Sequence, residues 1–117
     1  MRSSDLGRLG EDLACAFFEV HGYRCLARRW RRGGGELDLV VRRRALTVFV
    51  EVKARGPGSY GRAAEAITSG QLRRLRRLAC SWRQEHGAPG DLRLDVVTLD
   101  VLAEGRGLVL RHFPGVG

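Results

Sequence analysis

Residues 35–53 constrain this chain most. Gly35-Glu36-Leu37-Asp38-Leu39-Val40-Val41 and Ala45-Leu46-Thr47-Val48-Phe49-Val50-Glu51-Val52-Lys53 are two β-rich runs joined by Arg42-Arg43-Arg44. Short apolar runs on either side of a charged link predict a β-hairpin. Side-chain alternation sets its register. If Arg44 and Ala45 form a two-residue turn, Arg43 faces Leu46, Val41 faces Val48, Leu39 faces Val50, Asp38 faces Glu51 and Leu37 faces Val52. One face is then wholly apolar, and the other carries Glu36, Asp38, Glu51 and Lys53. A slip by one residue mixes the faces, which a sheet with a buried side resists. Arg-Ala is a poor pair for a tight turn, so the face matching carries the register.

Carboxylates directly opposite one another destabilise a strand pair. A divalent cation with oxygen ligands offsets the repulsion, and Mg²⁺ is commonly held by one or two carboxylates together with substrate phosphate. A lysine two residues beyond Glu51 would stand beside such an ion, placed to stabilise charge on a phosphate or to orient water. The competing reading is a solvent-facing strand of mixed charge. The apolar flanks favour a sheet interior, where charges seldom go unpartnered.

At 117 residues the chain is long enough for one domain, spanning 1–117, with its own core. Its 21 Lys and Arg against 13 Asp and Glu give a net charge of +8, and Lys53 is the only lysine. Such a balance suits a protein that meets polyanions, although a general preference for arginine would raise the charge as well. No run approaches the roughly 18 apolar residues of a membrane span. Met1-Arg2-Ser3-Ser4-Asp5 is not followed by a signal-peptide core, so a cytoplasmic protein with no membrane contact is expected. Cys15, Cys25 and Cys80 have no zinc-like spacing and are expected as reduced, mostly buried thiols. His21, His86 and His112 are scattered.

In chain order, residues 5–21 predict a helix with Asp5 as N-cap and Leu6, Leu9, Gly10, Leu13 and Phe17 on one face. Glu11 lies on the flank of that stripe, where an acid ordinarily just favours the helix dipole. Tyr23–Trp30 predicts a first strand. Arg28, Arg29, Arg31 and Arg32 surround Trp30, a pattern that suits a phosphate backbone and a base and equally suits a charge-guarded edge strand with Trp30 in the core. Gly33-Gly34-Gly35 reads as a turn. Gly56-Pro57-Gly58-Ser59-Tyr60-Gly61, flanked by Arg55 and Arg62, reads as a loop bordering any site at Lys53. Thr68-Ser69-Gly70-Gln71 has the spacing of a capping box. The helix it opens buries Leu72, Leu75, Leu78, Ala79 and Trp82 and shows Arg73, Arg74, Arg76 and Arg77, either a solvated face or a phosphate-binding ridge. Residues 92–100 and 107–113 predict two last strands. Asp95 interrupts the first of them, with no partner evident.

These blocks in this order resemble the restriction-endonuclease-like superfamily, whose signature is written PD-(D/E)XK. More closely, the chain is similar to the YraN-type family of small bacterial proteins, kin to archaeal Holliday-junction resolvases. The matching residues are Gly10-Glu11-Asp12-Leu13-Ala14, Gly22-Tyr23, Gly35-Glu36-Leu37-Asp38-Leu39-Val40, Phe49-Val50-Glu51-Val52-Lys53-Ala54-Arg55, Glu65-Ala66-Ile67-Thr68, Arg74-Leu75 and Leu94-Asp95-Val96-Val97. The resemblance implies an α/β fold with a mixed central sheet of five strands in the order α-β-β-β-α-β-β. It implies Asp38, Glu51 and the carbonyl of Val52 as ligands of Mg²⁺ or Mn²⁺, Lys53 as the catalytic lysine and Glu11 as an accessory acid. Leu37 departs from the superfamily's proline, and Gln71 stands where YraN-type sequences often carry lysine.

The expectation is a metal-dependent endonuclease that cleaves DNA, branched or otherwise structured. Arg28, Arg29, Trp30, Arg31, Arg32, Arg55, Gln71, Arg73, Arg74 and Arg77 would bind the nucleic acid. A cut through both strands would favour a homodimer. The alternative is a DNA- or RNA-binding module on a nuclease fold without turnover, since fold alone does not give function.

Overall fold

The computed structural model describes residues 3–57 and 67–117. Met1, Arg2 and residues 58–66, with most of the expected Gly-Pro loop, Arg62, Glu65 and Ala66, lie outside the described residues. Helix α1 (Ser3–Val20) is followed by β1 (Arg24–Arg32), β2 (Gly35–Arg43), β3 (Leu46–Arg55), helix α2 (Ser69–His86), β4 (Asp91–Val101), a 3₁₀ turn at Ala103–Gly105 and β5 (Leu108–Phe113). The expected element order is present.

The strands form one sheet in sequence order, β1-β2-β3-β4-β5. All neighbours are antiparallel except β3 and β4. A parallel pair needs a crossover, and α2 lies within that connection. Two turns hold the hairpins. Gly33 and Gly34 both have positive φ, the requirement of the tight turn that joins twisted strands. At the β2–β3 turn Arg44 adopts φ 54 without being glycine, which is why Arg-Ala looked unsuited to it.

The core lies on both faces of the sheet. Against α1 pack Ala14, Phe18, Tyr23, Leu39, Val41, Val48, Val50 and Val97. Against α2 pack Leu37, Val40, Phe49, Leu75, Leu78, Ala79 and Trp82. Phe18 and Phe49 are fully buried, one on each face, and each contributes on the order of 2–3 kcal/mol by burial. Thr68 and Gln71 form the expected capping box of α2.

The hairpin register is the expected one: Leu39 faces Val50, Val41 faces Val48 and Arg43 faces Leu46. The ladder ends at Leu39 and Val50, one position before Asp38 and Glu51. The expected faces are corrected at Leu37, which joins the α2-side core while Leu39 joins the α1 side. The break lies between the pairs Arg28–Leu39 and Trp30–Leu37, where Asp38 passes Arg29, whose φ is 52. The register step of β1 between Cys25 and Ala27 lies farther along, opposite Val40 and Val41.

Three further expectations are corrected. The deepest stripe of α1 is Gly10, Glu11, Ala14 and Phe18, whereas Leu6, Leu9, Leu13 and Phe17 are only half-buried. Cys15 and Cys25 form a disulfide between α1 and β1, with Cα atoms 6.4 Å apart, and Cys80 is exposed. The reversal of the chain from α1 into the edge strand brings the pair together, which spacing alone does not reveal. Asp95 does have partners. Arg93 donates to both its oxygens at 2.7 and 2.8 Å, His112 lies at 2.6 Å and the Gly115 N–H donates at 3.2 Å. This fully buried carboxylate ties β5 and the residues after it to β4.

Candidate metal and nucleic-acid site

Helix α1 approaches β3 closely at Gly10. A Cβ there would stand 2.9 Å from the Cβ of Ala54, closer than side chains pack. The missing side chain lets the next residue, Glu11, reach the sheet, where it is only 8% exposed. Its carboxylate accepts from Arg29 Nε at 2.5 Å. The left-handed backbone of Arg29 sends this side chain to the α1 side, as Arg28 does toward Asp12. Left-handed backbone in a mid-strand arginine is uncommon and clusters where function demands it.

Glu11 meets two acids of β2. Carboxylate oxygens of Glu11, Glu36 and Asp38 all lie within 4.8 Å of one another. Asp38 also accepts the Val52 N–H at 2.8 Å and hydrogen-bonds to Glu51. Burial, then the hydrogen bond and charge of Glu51, push the Asp38 carboxyl up to about 8, against the pull of the Val52 N–H. A carboxyl kept neutral beside three other acids marks a place where negative charge is concentrated beyond what the protein offsets. All the donors are hard oxygens, the set that suits Mg²⁺ or Mn²⁺ rather than a thiolate-seeking metal. The residues fit such an ion.

Asp38, Glu51 and Glu36 open onto a cleft whose other walls are Gly33, Gly34, Gly35, Arg31, Arg32 and Arg74. The glycine turn read as a mere connection is thus one rim of the site. Glu36 was missed as a site residue, although its place two residues before Asp38 on one strand was the available signal.

The remaining expected residues divide. Lys53 is half-buried on β3, opposite Thr98, and is not among the residues that line the cleft. Val52 engages Asp38 through its N–H. Arg31 pairs with Glu36 at 2.8 Å, and Arg32 grips Glu85 with two bonds of 2.7 and 2.8 Å. Arg32 also lies 4.7 Å over the ring of Trp30, which packs against the α2-side core. Trp30 is half-buried there, on the face that α2 covers. Gln71 serves as a cap: its side chain accepts from the Thr68 N–H at 2.9 Å. Arg73, Arg74 and Arg77 are exposed and make no ion pair among the described residues. They form an open basic surface on α2. Arg55 is half-buried, with its Nε buried and unbonded, and faces the buried Asp100 across the ladder.

Among sequence families, the profile of uncharacterised protein family UPF0102 matches residues 10–99. A UPF0102 protein of Mycolicibacterium gilvum is 48% identical over 96% of this chain and 93% of its own length. One of Leifsonia xyli is 40% identical over 98% of both chains, and one of Beutenbergia cavernae 43% over the whole of both.

Proposed function

The chain belongs to the uncharacterised protein family UPF0102, and we propose that it is a divalent-metal-dependent endonuclease acting on structured DNA in the cytoplasm. One observation carries the reading: Glu11, Glu36 and Asp38 lie within 4.8 Å of one another, and Glu36 and Asp38 open onto a cleft rimmed by Arg31, Arg32 and Arg74. Acids without cations beside them would repel a phosphodiester, and cations without acids would bind it unchanged. Together they recruit a cation and present the backbone to it.

Asp38 and Glu51 would hold Mg²⁺ or Mn²⁺, with Glu36 and Glu11 beside them. When bound, the ion supplies Lewis-acid stabilisation of the phosphate charge and a more acidic water. Asp38 would give up its proton to hold the ion, and the Val52 N–H keeps its carboxylate in place. Glu11, fixed by Arg29, closes the cluster on the α1 side. Lys53 follows Glu51 at the strand period of two and would offset developing negative charge. Arg74, Arg73 and Arg77 extend the backbone contacts along α2 without reading sequence.

The test is Lys53→Ala. Cleavage of four-way-junction, flap and linear DNA in Mn²⁺ should be lost while DNA affinity is retained. Cleavage at the wild-type rate would remove Lys53 from the mechanism. The position of Lys53 off the cleft wall favours one alternative, a binding module without turnover. Wild-type protein that binds Mn²⁺ and DNA and cuts none of the three substrates would establish it.

A further inference from the structure

A second basic groove lies on the other face of the sheet. Between α1 and β1, Arg8, Asp12, Arg28 and Arg29 line a depression. Arg8 is exposed and makes no ion pair among the described residues. Arg28 is paired with Asp12, but their side chains are 38% and 63% exposed. Such a solvated pair is worth little, and its arginine can exchange one anion for another.

The two grooves are linked by side-chain contacts. Arg29 lines the second groove and bonds to Glu11. Glu11 lies against Asp38, and Asp38 lines the first groove. Both grooves take residues from β1, the edge strand of the sheet, and the carboxylate cluster sits between the groove bordered by Arg74 of α2 and the one bordered by Arg8 of α1. A duplex is stiff, with a persistence length of roughly 150 base pairs, and does not fold around a single edge strand. A single strand does.

We propose that the substrate is single-stranded where it passes the carboxylates, and that Arg8 and Arg28 form a second phosphate subsite that grips the strand after it has rounded β1. The inference rests on the nucleic-acid reading of the cleft and narrows it to a single strand, a flap or the unpaired arm of a junction. The recognised chemistry is the phosphodiester backbone, shared by DNA and RNA.

The experiment is fluorescence anisotropy in EDTA, which reports binding with no turnover. Labelled single-stranded DNA, single-stranded RNA and blunt duplex DNA of equal length would be compared at several salt concentrations. The wild type should bind a single strand at least about tenfold more tightly than the duplex. Arg8→Glu should weaken single-strand binding on the order of tenfold, and Arg28→Gln should weaken it in the same direction. Each lost contact should flatten the salt dependence by about 0.7 in log–log slope. Arg44→Gln, in the turn at the far end of the β2–β3 hairpin, should change nothing. Duplex binding equal to or tighter than single-strand binding would overturn the inference, as would unchanged affinity in both Arg8→Glu and Arg28→Gln. Failure of the nuclease reading looks different: the expected binding pattern with no cleavage in Mn²⁺ leaves the subsite standing. Absence of all nucleic-acid binding at low salt would overturn both.

Discussion

Replacing Asp38 with asparagine should stabilise this protein, increasingly so as the pH rises. Ordinarily an aspartate ionises near 3.8, but burial and Glu51 hold this one up to about 8. Between those values the folded protein keeps a proton that the unfolded chain has released, so stability falls as pH rises. The penalty is absent below the ordinary value and complete above the raised one. Each tenfold step in proton concentration is worth about 1.4 kcal/mol. Between about pH 5 and pH 8 the wild type should therefore lose on the order of 4 kcal/mol through this one group, a ceiling that relaxation of the site reduces. An asparagine reproduces the neutral carboxyl: its oxygen accepts the Val52 N–H, and its amide donates to Glu51. Urea unfolding of both proteins in EDTA across this range measures the difference. The Asp38→Asn variant should gain on the wild type steadily as pH rises. Stabilities that move in parallel would refute the reasoning, since the acid would then not be held neutral by the fold.

Gly10→Ala should destabilise by about 2 kcal/mol, because its Cβ would stand 2.9 Å from that of Ala54 and neither is a flexible side-chain end; thermal unfolding checks it, and an unchanged melting temperature would mean α1 moves freely. Asp95→Ala should cost about 3 kcal/mol, because it strands Arg93 and His112 beside a buried gap; denaturant unfolding that matches the wild type would contradict the network's structural role. Thr68→Ala should cost about 1 kcal/mol by removing the cap on α2, read as a lowered urea midpoint; no shift would mean that Gln71 alone holds the helix end.

Much of the scaffold was legible because it depends on local pattern. Alternation in residues 39–50 fixed the hairpin register, and the Thr68–Gln71 spacing announced the start of α2. Asp38 and Glu51 drew notice as charges flanked by apolar runs. What escaped was everything set by the edge strand. The left-handed backbone of Arg29 cannot be read from its neighbours in sequence, yet it stands where Leu37 and Leu39 part to opposite faces and it brings Arg29 to Glu11. The packing of Glu11 depended on Gly10 meeting Ala54, a contact between residues 44 positions apart in sequence. Trp30 and Gln71 looked like binding residues because their types suit that task. Their partners in the fold, the α2-side core and the Thr68 backbone, are set by packing that residue type does not announce. Asp95 likewise found His112 only once β4 and β5 paired, whereas Arg93, two residues away on the same strand, was a partner within sequence reach.

The most direct test of the central claim is calorimetric titration of Mn²⁺ into the metal-free protein near pH 7, repeated in two buffers of different ionisation heat. The carboxylate cluster predicts binding accompanied by release of about one proton, the proton of Asp38, and loss of both signals in Asp38→Asn. No heat of binding, with or without DNA present, would contradict it and leave Glu11, Glu36, Asp38 and Glu51 as a charged cleft that holds no metal.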